Sequence, residues 1–156
     1  MISNSSPLIC LAKINQLELL KKLFQKIIIT DEVKKEVLVF EKSGYKEVEM
    51  AIEEKWIIIE NPKNNLDLKL GVGENSIISL ASEKKDSLII DDLKGIKISR
   101  SFNIPIFRTT DVIAMALDKN VINKKQAISL INMIMHNGYH ISHYHYTKII
   151  ELIENL

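Results

Sequence analysis

The sequence predicts an α/β domain of three layers, with a short, mainly parallel central sheet and helices on both faces. Three observations carry this expectation. Short β-rich runs alternate with longer helical stretches along the chain. The middle three of those runs, around Ile27-Ile28-Ile29, Ile57-Ile58-Ile59 and Leu88-Ile89-Ile90, are almost purely apolar, as suits strands buried on both faces of a parallel sheet. Polar and acidic residues stand directly after the first and fourth runs, at Asn4 and at Asp91-Asp92, where ligands bind in open parallel sheets.

The elements follow in order. Met1–Ser3 is the first strand, and Ser5 or Ser6 can cap the helix after it, with Pro7 in a first turn that needs no N–H. Leu8, Leu11 and Ala12 then recur on one face, and Gln16–Phe24 forms a second short helix through Leu17, Leu20 and Phe24. Ile27–Thr30 is the second strand. Thr30 or Asp31 caps a helix carrying Val33 and Val37, and Tyr45–Lys55 continues helical to a third strand at Trp56–Glu60. The stretch Asn61–Gly73, with Pro62 and two glycines, is irregular and long enough to be a surface loop near a site or a mobile one. Glu74–Lys84 is a helix with Ile77, Ile78 and Ala81 on one side. Leu88–Ile90 is the fourth strand, Asp92–Phe102 a helix, and Pro105–Phe107 the fifth strand. Three helices close the chain: Asp111–Lys119, Asn123–His136 and Ser142–Glu154. Strand–helix alternation of this kind implies right-handed crossovers.

Composition narrows the function classes. At 156 residues the chain reads as one domain able to bury a substantial core. With 46% apolar and 26% charged residues it has an ordinary globular make-up. A formal net charge of +1 gives no global pull toward nucleic acid or membrane, so any such contact must come from a local patch. The lone Cys10 excludes an intrachain disulfide framework and points to a reducing compartment. No basic start with a cleavage site is visible, and no apolar run approaches the roughly 18–20 residues of a membrane helix. The expectation is a cytoplasmic protein.

Four positions attract attention together. Taken singly, each has a plain structural reading. Asn4 would be a turn or capping residue, Glu36 a solvated surface charge, and Glu74 a first-turn complement to the helix dipole. Of Asp91 and Asp92 one can cap the following helix, and the second then needs another reason. As a constellation they carry more weight. Clustered carboxylates are costly without a counter-charge, and hard cations such as Mg²⁺ take oxygen ligands. Two such ions can activate a water and stabilise the leaving oxygen in phosphodiester cleavage.

The residues around these positions resemble a known family. Ser3-Asn4-Ser5-Ser6-Pro7-Leu8-Ile9, Ile29-Thr30-Asp31-Glu32-Val33-Lys34-Lys35-Glu36-Val37, Gly73-Glu74-Asn75-Ser76-Ile77-Ile78 and Ile90-Asp91-Asp92 occur in the order of the PIN domain's motifs. They resemble in particular the subgroup similar to the toxin nucleases of virulence-associated toxin–antitoxin modules. Gly138-Tyr139-His140-Ile141-Ser142 is similar to that subgroup's closing segment. The resemblance implies a PIN-like three-layer α/β/α fold and a ribonuclease dependent on Mg²⁺ or Mn²⁺. It implies RNA as substrate, a small antitoxin protein as partner, and a homodimer. The family's catalytic positions fall on Asn4, Glu36, Glu74 and Asp91. Its metal ligands fall on Glu36, Glu74 and Asp91, with Asp92 beside them and Ser6 as the small hydroxyl near the first position.

Two departures stand out. Asn4 replaces the family's first aspartate, and Ile96 stands where the subgroup often has a basic residue. An amide keeps one coordinating oxygen but loses a full negative charge, so metal affinity and activity should fall while the fold survives. A degenerate gene, a residue changed to make a toxic nuclease tolerable, and sufficiency of the remaining acids are the competing explanations. Lys94, Lys97 and Arg100, spaced i, i+3, i+6, could line an RNA phosphate path with Arg108 nearby, or form a solvated face. His136, His140, His143 and His145 lack the spacing and the supporting ligands of a zinc site and read as surface residues. Surplus apolar residues in the last helices would suit a dimer face or an antitoxin groove.

Overall fold

The computed structural model describes residues 1–39 and 43–156. Its five strands are β1 (Ile2–Ser3), β2 (Ile27–Ile29), β3 (Ile57–Ile59), β4 (Leu88–Ile89) and β5 (Ile106–Phe107). All neighbours pair in parallel, in the order β3-β2-β1-β4-β5. The helices are α1 (Ser5–Lys13), α2 (Glu18–Phe24), α3 (Asp31–Val37), α4 (Tyr45–Glu53), α5 (Val72–Lys84), α6 (Leu93–Ser101), α7 (Thr109–Asp118), α8 (Lys124–His136) and α9 (His143–Asn155). The element order agrees with the sequence expectation, and the α/β/α architecture with its parallel sheet is the one expected.

The central strand is short because it has little to do beyond being buried. Ile2 aligns with Ile28 on one side and with Leu88 on the other, and all three are buried. Next to them the Ile27-Ile28-Ile29 and Ile57-Ile58-Ile59 triplets align residue for residue. β-branched side chains suit this pleated setting, which is fully buried at β2, while Ile58 and Ile59 of the edge strand β3 are half-buried, short of the burial on both faces that their apolar run suggested. The strand order reverses around β1: β2 follows it on one side and β4 on the other. A crevice therefore opens beyond the carboxyl ends of β1 and β4.

Helix boundaries moved in instructive ways. Asn4, not Ser5 or Ser6, is the N-cap of α1. It has extended backbone (φ −74°, ψ 170°), and its side-chain oxygen accepts from the Ser5 N–H. Helix α7 begins at Thr109 rather than Asp111, because Asp111 reaches back to accept the Arg108 N–H at 2.7 Å and pulls the first turn forward. Thr30 caps α3 as one of the two expected residues, accepting from the Val33 N–H at 3.3 Å. Glycine is scarce, so Asn15, Asn103 and Asn120 take the left-handed conformation after α1, α6 and α7, with φ of 54°, 56° and 56°. Asparagine tolerates that region better than most residues.

The irregular segment after β3 is tied to α5. Glu83 accepts the N–H groups of Lys63 and Asn64 at 3.0 and 2.9 Å, and these bonds hold its carboxyl below the ordinary carboxylate range. Ser79 Oγ accepts from the Leu66 N–H at 2.9 Å. The segment thereby arrives at Gly71, the N-cap of α5, at the sheet edge. No helix among the described residues is long and apolar enough to cross a membrane.

The core is continuous from the sheet through α5 and α7 to the C-terminal helices, where Ile131, Ile134, Ile149 and Ile153 are buried. Ile78 on α5 is fully buried within it. Ile78→Ala should cost about 2–5 kcal/mol of unfolding free energy by denaturant titration. Lys97→Ala, on an exposed face, should stay within about 0.5 kcal/mol.

Candidate functional site

Asn4 lies buried at the carboxyl end of β1. Its backbone N–H donates to the Ile89 carbonyl at 2.9 Å, which joins the end of β1 to β4. The residue is 1% exposed, so both ends of its amide need partners. The oxygen accepts from Ser5 N–H at 2.8 Å, and the NH₂ group donates to Glu74 Oε1 at 3.2 Å. Those two partners fix the orientation of the amide, since a carboxylate accepts and a backbone N–H donates.

The other acids reach the same edge from different elements. Glu36, on α3, is half-buried and accepts from the Ser5 hydroxyl at 2.5 Å. Its carboxylate lies against the α-carbon of Gly73, close enough that a Cβ there would collide with Glu36 Oε1. Glycine in the first turn of α5 is what lets α3 present Glu36 to this helix. Glu74 follows in that same turn, with its second oxygen folded over Gly71. Ser5, which sequence reasoning passed over as one possible cap, is the hydroxyl that touches an acid, while Ser6 is exposed.

The two adjacent aspartates divide their roles. Asp92 is the N-cap of α6 and accepts the Gly95 N–H at 2.7 Å. Asp91 has the other reason that the sequence demanded. It accepts from the Thr109 N–H at 2.9 Å, the Thr109 hydroxyl at 2.6 Å and the Tyr139 hydroxyl at 2.8 Å. Neither partner was singled out from sequence, though Tyr139 stands in the closing segment that carried part of the family resemblance. The field of Asp91 is felt nearby. Burial first, then the Asp91 charge, push the Cys10 thiol up to about 12, with Lys13 offsetting a little, so this cysteine is an unreactive thiol. Burial and Asp91 raise Tyr139 as well, which keeps its phenol a proton donor.

Residues 1–155 match a family described as a PIN domain. The chain belongs to the PIN-domain family. No curated protein and no solved structure matches it. The PIN match supports a nuclease type of function, and PIN domains are in general dependent on divalent metals. Against that background the donor set of this PIN domain is short of a cation site. Among the described residues no group of three or more His, Cys, Asp or Glu side chains is placed to hold a metal ion. The Asn4 oxygen already accepts from Ser5 N–H, and its NH₂ group, which cannot coordinate, is the end that faces Glu74. The residues as arranged do not fit a divalent cation.

Basic groups lie around the crevice. Lys94, at the start of α6, shares a shallow surface pocket of about 310 Å³ with Lys69, Leu70, Gly71, Glu74 and Asp92. Lys97 and Arg100 are exposed further along α6, and Ile96 is buried beneath them. Arg108, at the end of β5, is half-buried with a buried, unpaired Nε. Of the histidines, His140 and His143 are exposed, and His136 bonds the Asn132 carbonyl within its own helix. His145 departs from the surface reading: it is half-buried, with Nε2 2.9 Å from the Thr110 hydroxyl. Tyr139, in the segment between α8 and α9, and His145, in the first turn of α9, thus fasten this part of the chain to Asp91 and to the start of α7.

Two outcomes follow. Tyr139→Phe removes one of the three donors to a half-buried carboxylate and should lower stability by about 1–3 kcal/mol in denaturant melts. For His145, burial first and then the Arg108 charge lower the imidazole below its ordinary 6.5. The unfolded chain then takes up the proton first as pH falls through 6.5, so stability should drop there and His145→Gln should blunt the drop. An NMR titration placing His145 above 6.5 would contradict this.

Proposed function

We propose that this PIN domain is a toxin-type endoribonuclease of a toxin–antitoxin module whose cleavage is impaired by Asn4. The supporting observation is the hydrogen bond from the Asn4 NH₂ group to Glu74. It puts a neutral donor where the family resemblance implies a negatively charged ligand for Mg²⁺ or Mn²⁺. Asn4, Glu36, Glu74 and Asp91 are the proposed catalytic set, with Asp92 as the neighbouring acid. RNA is the proposed substrate. Its phosphates would run past the exposed Lys94, Lys97 and Arg100, with Ser6 at the open side of α1. A small antitoxin protein, a homodimer and a cytoplasmic location belong to the same reading.

A second reading has its own support: an inactive PIN-like module that binds RNA or protein. Every acid at the edge already has a protein donor, which is what a site no longer used for metal chemistry would show.

The discriminating assay is RNA cleavage by the unsubstituted chain and by Asn4→Asp, with Mg²⁺ or Mn²⁺ and with chelator. The expected result is a gain of roughly 100-fold or more for the Asp form, abolished by chelator. Cleavage by neither form sinks the nuclease reading in favour of the binding module. A panel including structured DNA tests the weaker alternative of a DNA nuclease.

A further inference from the structure

Carboxylates gathered at one sheet edge repel one another unless something answers their charge. Lysines and an arginine stand nearby, yet no ion pair among the described residues involves Glu36, Glu74, Asp91 or Asp92. What answers them is a set of neutral donors. The Ser5 hydroxyl serves Glu36 and the Asn4 amide serves Glu74. Thr109 and the Tyr139 hydroxyl serve Asp91, and the Gly95 N–H serves Asp92. Such donors stabilise an ionised carboxylate without neutralising it. Of these donors, the Asn4 amide alone stands between strand β1 and the acid of α5, buried and with no freedom to turn. Its oxygen is held by Ser5 N–H and its nitrogen by Glu74.

We propose that the Asn4 amide is a built-in bridge that does the work of a cation, so that the folded acidic crevice is complete without divalent metal. Position 4 then sets the site's demand for a cation. An aspartate there would place an acceptor against Glu74 Oε1, leaving two carboxylates face to face with no proton between them. That pair requires a cation or a change elsewhere. The inference goes beyond the ribonuclease reading and does not depend on it, because it concerns the folded state and not cleavage.

The test is thermal unfolding at neutral pH, in EDTA and in millimolar Mn²⁺, of the unsubstituted chain, Asn4→Asp, and the swapped pair Asn4→Asp/Glu74→Gln. The swap restores one amide and one carboxylate with the donor now on residue 74. The unsubstituted chain should melt at the same temperature in both media. Asn4→Asp should melt roughly 5 °C or more lower in EDTA and recover in Mn²⁺. The swapped pair should return most of the loss in EDTA and respond little to Mn²⁺. The proposal is overturned if Mn²⁺ stabilises the unsubstituted chain as much as Asn4→Asp, or if Asn4→Asp in EDTA melts with the unsubstituted chain. Should Asn4→Asp fail to fold in EDTA, a folded swapped pair supports the bridge and an unfolded one overturns it. Failure here leaves the cleavage result for Asn4→Asp intact, and the converse also holds, so the two readings fall separately.

Discussion

Everything at the crevice depends on β1 being paired in parallel on both sides. Ile2 aligns with Ile28 and Leu88 at once, and the Asn4 N–H continues the ladder to Ile89. Burial of these apolar side chains at about 25 cal/mol per Å² drives the pairing, and the hydrogen bonds give it register. Once register is set, Asn4 and Asp91 must emerge at neighbouring strand ends. The reversal of strand order around β1 leaves the space between them open. The helices then have only to bring acids into that space, and α3 and α5 do so because Gly73 allows their close approach.

The second constraint is electrostatic. Four carboxylates at one edge would ordinarily be held by a metal or by basic side chains. Here they are held by hydroxyls, amides and backbone N–H groups drawn from α1, α6, α7 and the segment before α9. That choice has structural consequences. Because Tyr139 bonds Asp91 and His145 bonds Thr110, the C-terminal helices are coupled to the site and do not merely cover the core. Cys10 feels the Asp91 charge as well, and burial together with that charge suppresses its thiolate.

Much of this was legible in the linear order of residues. Isoleucine triplets signalled doubly buried strands, and the structure places all three residues of each in the sheet, fully buried in β2 but half-buried at Ile58 and Ile59, because β3 lies at the sheet edge. Thr30, Asn123 and Ser142 cap helices where a side-chain oxygen precedes a periodic apolar run. The division between Asp91 and Asp92 could be stated from sequence as a question, because a helix needs only one N-cap. Its answer could not. Thr109 and Tyr139 lie 18 and 48 residues from Asp91, and nothing periodic connects them. Glu36 read singly as a solvated charge, and its contact with Ser5 depends on how α1 packs against α3.

The sequence by itself determined the order of elements, the parallel sheet and the polar residues, Asn4 and Asp91, that follow its strands. These follow from burial periodicity and capping, which act over a few residues and are written locally. Only the tertiary structure decided which donor meets which acid, and so which end of the Asn4 amide faces Glu74. Hydrogen bonds are made or lost over a few tenths of an ångström, and approach on that scale is set by packing between segments distant in the chain. Asn4 is identified by its place in the sequence, but the direction of its amide, on which the cation question turns, belongs to the fold.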